Sequence, residues 1–245
     1  MSAPADDLPL GRVTVRQNVR DPDEWYWQVP VVAQLRSEGM TLAPATVLVG
    51  ENGSGKSTLV EAIARAWREL LTAQVHHWGP RPSAEDTALW RALWLETAYP
   101  RPQGGIWLRA ESMHELFASV DRKAFELRAF DGVPLNTRSH GEGFLACLES
   151  RVTERGLWIL DEPESALSFR SCLRLLALLR AMTDAGSQVL LATHSPVLAA
   201  LPGATVYELG DGGFTERQWS DLELVQDWQA FFDDPARLLH HLLDD

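Results

Sequence analysis

Residues 45–71 constrain this chain more than any other stretch. Ala45-Thr46-Val47-Leu48-Val49 is apolar and β-branched, the composition of a strand buried on both faces of a parallel sheet. Gly50-Glu51-Asn52-Gly53-Ser54-Gly55-Lys56-Ser57-Thr58 follows and matches the phosphate-binding pattern G-x-x-x-x-G-K-[ST]. Leu59, Ile63, Trp67 and Leu70 then recur at spacings of four and three, which predicts one apolar face of a helix. Glycines 50, 53 and 55 let the backbone bend and approach a ligand closely. Successive N–H groups and the positive end of the helix can then bind phosphate oxygens. Lys56 is placed to reach the outer phosphates as a compact charge, and the Ser57 hydroxyl to ligate Mg²⁺. Glu51 to Thr58 are therefore the candidate contacts of a nucleoside triphosphate.

The length of 245 residues fits one large α/β domain, and a hydrophobic share of 45% is that of a globular protein with a sizeable core. A formal net charge of -12 weighs against a constitutive binder of duplex DNA, whose affinity is largely phosphate neutralisation; a local basic groove stays possible. Of the 22 basic residues only Lys56 and Lys123 are lysines, so Lys56 stands where a forked guanidinium would be a poor replacement. Cys147 and Cys172 lie in apolar helical patterns without metal-ligand spacing and read as buried free thiols of a reducing compartment. Met1 to Leu10 has no charged-then-apolar leader pattern, and no apolar run reaches the length of a membrane span. A soluble, cytoplasmic protein without membrane insertion is the expectation.

Along the chain, Val13 and Val15 alternate and Trp25 to Val29 is aromatic-rich, with Asp21-Pro22-Asp23 between them; two strands are expected. These aromatics could stack on an adenine ring or fill the core, and core filling is preferred. His76-His77 has no accompanying acid or cysteine pattern and reads as loop. Ala84 to Thr97 reads as helix, Gly105 to Leu108 as a short strand, and Glu111 to Phe125 as helix with Met113, Leu116, Phe117 and Val120 on one side. Ser139-His140-Gly141-Glu142-Gly143 opens another helix and offers either an anion-binding terminus or an ordinary cap. Leu157 to Leu160 reads as a central strand that ends in Asp161-Glu162-Pro163. Two carboxylates there are costly unless they meet a cation. In P-loop enzymes such an acid holds Mg²⁺, and Glu162 can orient or deprotonate water. The plain alternative is an acidic start to a helix opened by Pro163. Phe169 to Met182 is an amphipathic helix stopped at Gly186, and Gln188 to Ala192 is a second buried strand. It ends in Thr193-His194-Ser195-Pro196, where His194 can sense a γ-phosphate or serve structure alone. Thr205 to Leu209 and Phe214 onward form a hairpin around Gly210-Asp211-Gly212-Gly213, and Leu222 to Leu243 is helical with a break before Pro235.

Taken in order, these pieces resemble the nucleotide-binding domain of ABC-type ATPases. Gly50 to Thr58 is similar to Walker A, Leu157 to Glu162 to Walker B with its catalytic glutamate, Ser165-Ala166-Leu167-Ser168 to the D-loop, and Thr193-His194-Ser195-Pro196 to the switch histidine. The pattern looks like the soluble branch near the RecF, SMC and overcoming-lysogenisation-defect ATPases, and most like its small stand-alone bacterial ATPases. The resemblance implies a P-loop α/β fold with a central, mainly parallel sheet flanked by helices. It further implies an N-terminal antiparallel β portion and a helical lobe at about 80–150 inside a single domain spanning 1–245.

For chemistry the resemblance implies ATP hydrolysis with Mg²⁺, with Lys56, Glu162 and His194 catalytic and Ser57 and Asp161 on the metal. Ser139, Gly141 and Glu142 would complete the site of a second copy in an ATP-sandwiched homodimer. The family signature usually reads Leu-Ser-Gly-Gly-Gln, a pattern that Ser139 to Gly143 only partly follows. The Q-loop glutamine has no evident counterpart, and position implies Glu111 as the further metal-side residue, with Gln103 as the alternative. The interval between Thr58 and Ser139 lacks the heptads of an SMC-like arm. Two other roles stay open: the ATP-binding subunit of a membrane transporter, and a nucleotide-dependent switch with slow hydrolysis acting on a nucleic acid or protein partner.

Overall fold

The computed structural model describes residues 8–19, 23–71, 77–78, 87–97, 104–109, 113, 117–118, 121, 130, 133–150 and 155–243. Its strands are β1 (Arg12–Val15), β2 (Met40–Thr41), β3 (Ala45–Gly50), β4 (His77–Trp78), β5 (Leu93–Glu96), β6 (Gly105–Arg109), β7 (Leu157–Asp161), β8 (Gln188–Thr193), β9 (Thr205–Gly210) and β10 (Gly213–Arg217). Its helices are α1 (Pro30–Glu38), α2 (Lys56–Leu70), α3 (Leu89–Ala92), α4 (His140–Glu149), α5 (Phe169–Asp184), α6 (Pro196–Ala199), α7 (Glu223–Asp233) and α8 (Pro235–Leu243).

A seven-stranded sheet runs in the order β10-β9-β3-β8-β7-β6-β4, and only the β9–β10 hairpin is antiparallel. Its central strands are buried on both faces, as their unbroken apolar runs require. Trp158, Leu160, Val189 and Leu191 pack to one side with Leu175 and Leu179 of α5. Leu157, Ile159, Leu190 and Ala192 pack to the other with Leu59, Ile63 and Trp67 of α2. A small antiparallel sheet, β2-β1-β5, sits on the second side. This is the α/β architecture with a mainly parallel sheet and an antiparallel portion that the sequence implies.

Four local expectations are corrected. Trp25 to Gln28 winds into a 3₁₀ turn that buries Tyr26 and leads into α1, whose first residue, Pro30, has the fixed φ of a helix start. Burial of one aromatic ring outweighs the strand propensity of the run. The helix read over Ala84 to Thr97 is short, and Leu93–Glu96 pairs with β1, so that Leu93 is buried while Trp94 is 54% exposed. His77 belongs to β4 rather than to a loop, and His76 lies outside the described residues. Leu70 is 43% exposed at the end of α2, off the buried stripe. Of the helix read over Glu111 to Phe125, Met113 and Phe117 are buried as expected, while Leu116, Val120 and most of the segment lie outside the described residues.

Gln188, on β8, ties the segment before β1 to the link between β2 and β3. Its side chain accepts from Leu10 N–H at 2.8 Å and donates to the carbonyls of Leu10 at 2.7 Å and Ala43 at 3.0 Å. Leucine there would leave these buried backbone groups without the side chain that bonds them. Gln188→Leu should therefore cost about 2–4 kcal/mol of folding stability by urea denaturation; a loss within about 0.5 kcal/mol would show the links to be dispensable.

Candidate active site

Parallel pairing lines up the carboxyl ends of β3, β8, β7 and β6. Val49 stands beside Thr193, Ala192 beside Asp161, and Asp161 beside Arg109. Loops leaving this edge carry the candidate site residues, at the strand ends where open α/β sheets bind ligands.

From β3 the chain enters the glycine loop. Gly53 and Gly55 have φ of 85° and 89°, the left-handed region that glycine occupies without strain. Gly55 is also the N-cap of α2, and no side chain caps that terminus. A Cβ on Gly55 would lie 2.6 Å from Val29 Cγ1, so the valines of the α1 turn enforce a bare backbone here. Lys56 is buried, and its Nζ donates to the carbonyls of Gly50 at 2.7 Å and Glu51 at 2.9 Å, with Ser54 Oγ at 3.4 Å. Burial pushes the ammonium below the ordinary lysine range, and Glu162, Asp161 and Glu164 pull it back up.

Asp161 is buried at the end of β7. Ser57 Oγ stands 3.4 Å from its Oδ1, and Arg109 Nε donates to its Oδ2 at 2.9 Å. Burial raises the carboxyl above its usual range, while the Arg109 guanidinium, then its hydrogen bond, and also Ser57 counter that shift; Glu162 adds to it. Ser57 Oγ and Asp161 Oδ1 form a pair of hard oxygen donors close enough to share one ion. That donor set suits Mg²⁺, which takes one or two carboxylates and completes its shell with phosphates and water.

Glu162 has φ 50° and ψ 50°, making it the one non-glycine residue with positive φ among those described. Such a backbone costs about 1–2 kcal/mol and is held by its surroundings. Its N–H donates to Ala192 O at 2.9 Å, and Ser165 Oγ donates to its carbonyl at 2.9 Å. The turn aims the carboxylate at His194, whose Nε2 lies 3.1 Å from Glu162 Oε1. Glu164 makes the second link across these strand ends, accepting the His194 backbone N–H. Lys56, Ser57, Asp161, Glu162 and His194 thus meet at one edge of the sheet.

Three members of this cluster were not singled out in the sequence: Arg109, Glu61 and Glu164. Glu61 lies one turn after Ser57 on α2, and its Oε2 is 3.5 Å from Arg109 Nη2. A charged residue on the inward side of an otherwise apolar helix was the available signal. Glu111 and Gln103 lie outside the described residues, and the residue that β6 brings to the acid is Arg109.

Ser139 is the N-cap of α4 in a capping box: Ser139 N–H and Oγ donate to Glu142 Oε2 at 3.1 and 2.8 Å, and Glu142 N–H donates to Ser139 Oγ at 3.4 Å. The Ser139 hydroxyl, then its N–H, hold the Glu142 carboxyl below the usual range. Both residues are exposed, and Gly141 packs against Ala166 and Leu167 of the turn after Glu162. A Cβ on Gly143 would lie 2.6 Å from the Phe117 ring, so Gly143→Ala should destabilise the fold by about 1–3 kcal/mol in thermal melts. Cys147 and Cys172 are buried free thiols. Among the described residues, no helix is long and apolar enough to cross a membrane.

Comparison with known proteins places this geometry. A family described as "AAA domain, putative AbiEii toxin, Type IV TA system" matches residues 143–200, the stretch that holds Asp161, Glu162 and His194. The cytochrome c biogenesis ATP-binding export protein CcmA of Rhodospirillum rubrum is 32% identical over 180 residues, covering 69% of this chain and 76% of that protein. CcmA of Shigella sonnei is 28% identical over 164 residues, covering 62% and 77%. Among solved structures, cbiO1 from Clostridium perfringens, part of the ABC transporter complex cbiONQ, is similar with a TM-score of 0.55 at 16% identity, covering 98% of this chain and 100% of that one.

Proposed function

The chain belongs to the ABC-type ATPases, P-loop enzymes that bind and hydrolyse ATP, and from that premise we propose that two copies close head-to-tail over two ATP molecules and reopen on hydrolysis. The unit is one ATPase domain over 1–245; within the lobe expected at about 80–150, Leu93–Glu96 and Gly105–Arg109 are strands of the two sheets, and the signature-like turn opens α4. Lys56 and the amides of Glu51 to Thr58 bind the phosphates, and Ser57 and Asp161 would hold Mg²⁺, which would supply positive charge against the phosphate oxygens. Glu162 takes a proton from water as the water oxygen bonds to the γ-phosphorus and the bond to the ADP oxygen breaks. His194 orients Glu162 and the γ-phosphate.

The 3.1 Å contact of His194 with Glu162, beside the buried Lys56, supports the hydrolytic assignment. The dimer rests on a different feature. The cap formed by Ser139 and Glu142 is exposed and bonds within its own helix start. Gly141 packs beside Leu167, and Phe169 and Leu173, one turn apart on α5, follow at 65% and 47% exposure. A second copy covering this face would bury both side chains and bring Ser139 and Gly141 to a γ-phosphate that is not their own. Light scattering of Glu162→Gln with saturating ATP should give dimers, and adding Phe169→Asp should return monomers. Monomers of Glu162→Gln at saturating ATP contradict the closure.

A second reading follows from the relatives, one named an export protein and another described as part of a transporter complex. In that case this chain is the ATP-binding subunit of a membrane partner, and it should co-purify from detergent extracts with an integral membrane protein.

A further inference from the structure

We propose that Arg109 is a positioning residue that keeps the nucleotide-free site from binding a divalent cation until ATP arrives, an inference that rests on Asp161 being the metal acid. Its guanidinium sits between two buried carboxylates. Nε donates to Asp161 Oδ2 at 2.9 Å, Nη2 lies 3.5 Å from Glu61 Oε2, and the group stacks over the Trp107 ring at 5.4 Å. Two acids this close and this buried call for a cation between them. Arginine fills that role permanently, because its planar fork matches carboxylates and does not lose its proton.

The consequence is an unequal division of Asp161. Oδ2 is engaged by Arg109, while Oδ1 faces Ser57 Oγ at 3.4 Å. Among the described residues, the Ser57–Asp161 pair therefore offers a metal one carboxylate oxygen and one hydroxyl. Among the described residues no three acid, histidine or cysteine side chains gather as a cage for an ion. Mg²⁺ demands near-octahedral coordination and gives up water reluctantly, so two such donors beside a fixed positive charge hold it weakly. Phosphate oxygens of ATP would supply the missing ligands. Held by Arg109, Asp161 also keeps Oδ1 turned toward Ser57.

Mn²⁺ titrated into the protein and followed by electron paramagnetic resonance tests this without any turnover. Wild type should bind no stoichiometric Mn²⁺ alone and one ion per chain with a non-hydrolysable ATP analogue. Arg109→Gln should tighten nucleotide-free Mn²⁺ binding by about tenfold or more, because the repelling charge is gone and both carboxylates are released. Arg109→Lys should stay near wild type, and circular dichroism checks that each variant folds. If Arg109→Gln does not fold, Glu61→Gln, which removes the other carboxylate at the guanidinium, and Arg109→Met are titrated in its place, with the same tightening expected of Arg109→Met alone. Stoichiometric nucleotide-free binding that Asp161→Asn abolishes would overturn the role of Arg109 while leaving Asp161 as the metal acid. Nucleotide-dependent binding that survives Asp161→Asn would overturn the metal assignment itself. Equal nucleotide-free affinities in folded Arg109→Gln and wild type would reduce Arg109 to a structural ion pair.

Discussion

Glu162→Gln is expected to lower steady-state ATP hydrolysis by about 10²–10⁴-fold while ATP still binds. The amide matches the carboxylate in shape but does not accept a proton from water. Nothing that holds the backbone at this position is removed: the N–H still reaches Ala192 O and the carbonyl still takes Ser165 Oγ. Lys56, Ser57 and Asp161 are untouched, so nucleotide affinity should change little. Phosphate release in single turnover measures the chemical step, and equilibrium dialysis measures binding. A rate within a few-fold of wild type would remove Glu162 from the reaction. A parallel loss of ATP binding would show that the substitution disturbed the glycine loop instead.

Lys56→Met should weaken ATP binding by about 100-fold, the loss expected when a charged hydrogen bond to a charged ligand disappears. The electrostatic surroundings sharpen that loss. Asp161, Glu162 and Glu164 all act on Lys56, and without its charge three acids would confront an incoming polyphosphate. The same balance sets a pH dependence. Burial lowers the proton affinity of Lys56, so its positive charge is lost, as pH rises, before the ordinary lysine value of 10.5. ATP affinity of the wild type should therefore begin to fall on the alkaline side below that value, whereas Lys56→Met should lack this limb. Isothermal titration across pH compares the two, and equal affinities for wild type and Lys56→Met at neutral pH would contradict the role given to the lysine.

Much of the site lay in local patterns. Gly50 to Thr58 fixes its own chemistry by spacing, and the runs before Gly50, Asp161 and His194 are apolar on both faces, which makes them neighbours in a parallel sheet. Once β3, β8 and β7 are adjacent, their carboxyl ends are forced together. Residues whose significance depends on a distant partner were harder to find. Arg109 matters because β6 pairs with β7 and so stands it beside Asp161, and Glu61 matters because α2 turns it toward the same guanidinium. Neither has a motif. The aromatic run at Trp25 had strand composition but wound into a turn to bury Tyr26, and Leu93–Glu96 paired with β1 despite helical neighbours. In each of these cases a long-range contact outweighed local propensity. The cap at Ser139 was legible, because Ser139 and Glu142 stand at the spacing of a capping box, and the structure forms it.

The central claim is that Lys56, Ser57, Asp161, Glu162 and His194 surround one triphosphate and its metal. Crystals of Glu162→Gln grown with ATP and Mn²⁺, measured at the manganese edge, test it most directly. The account predicts one anomalous peak per chain between Ser57 Oγ and Asp161 Oδ1, with the γ-phosphate within hydrogen-bond reach of Lys56 and His194. A peak elsewhere, or a triphosphate bound away from these side chains, would contradict it.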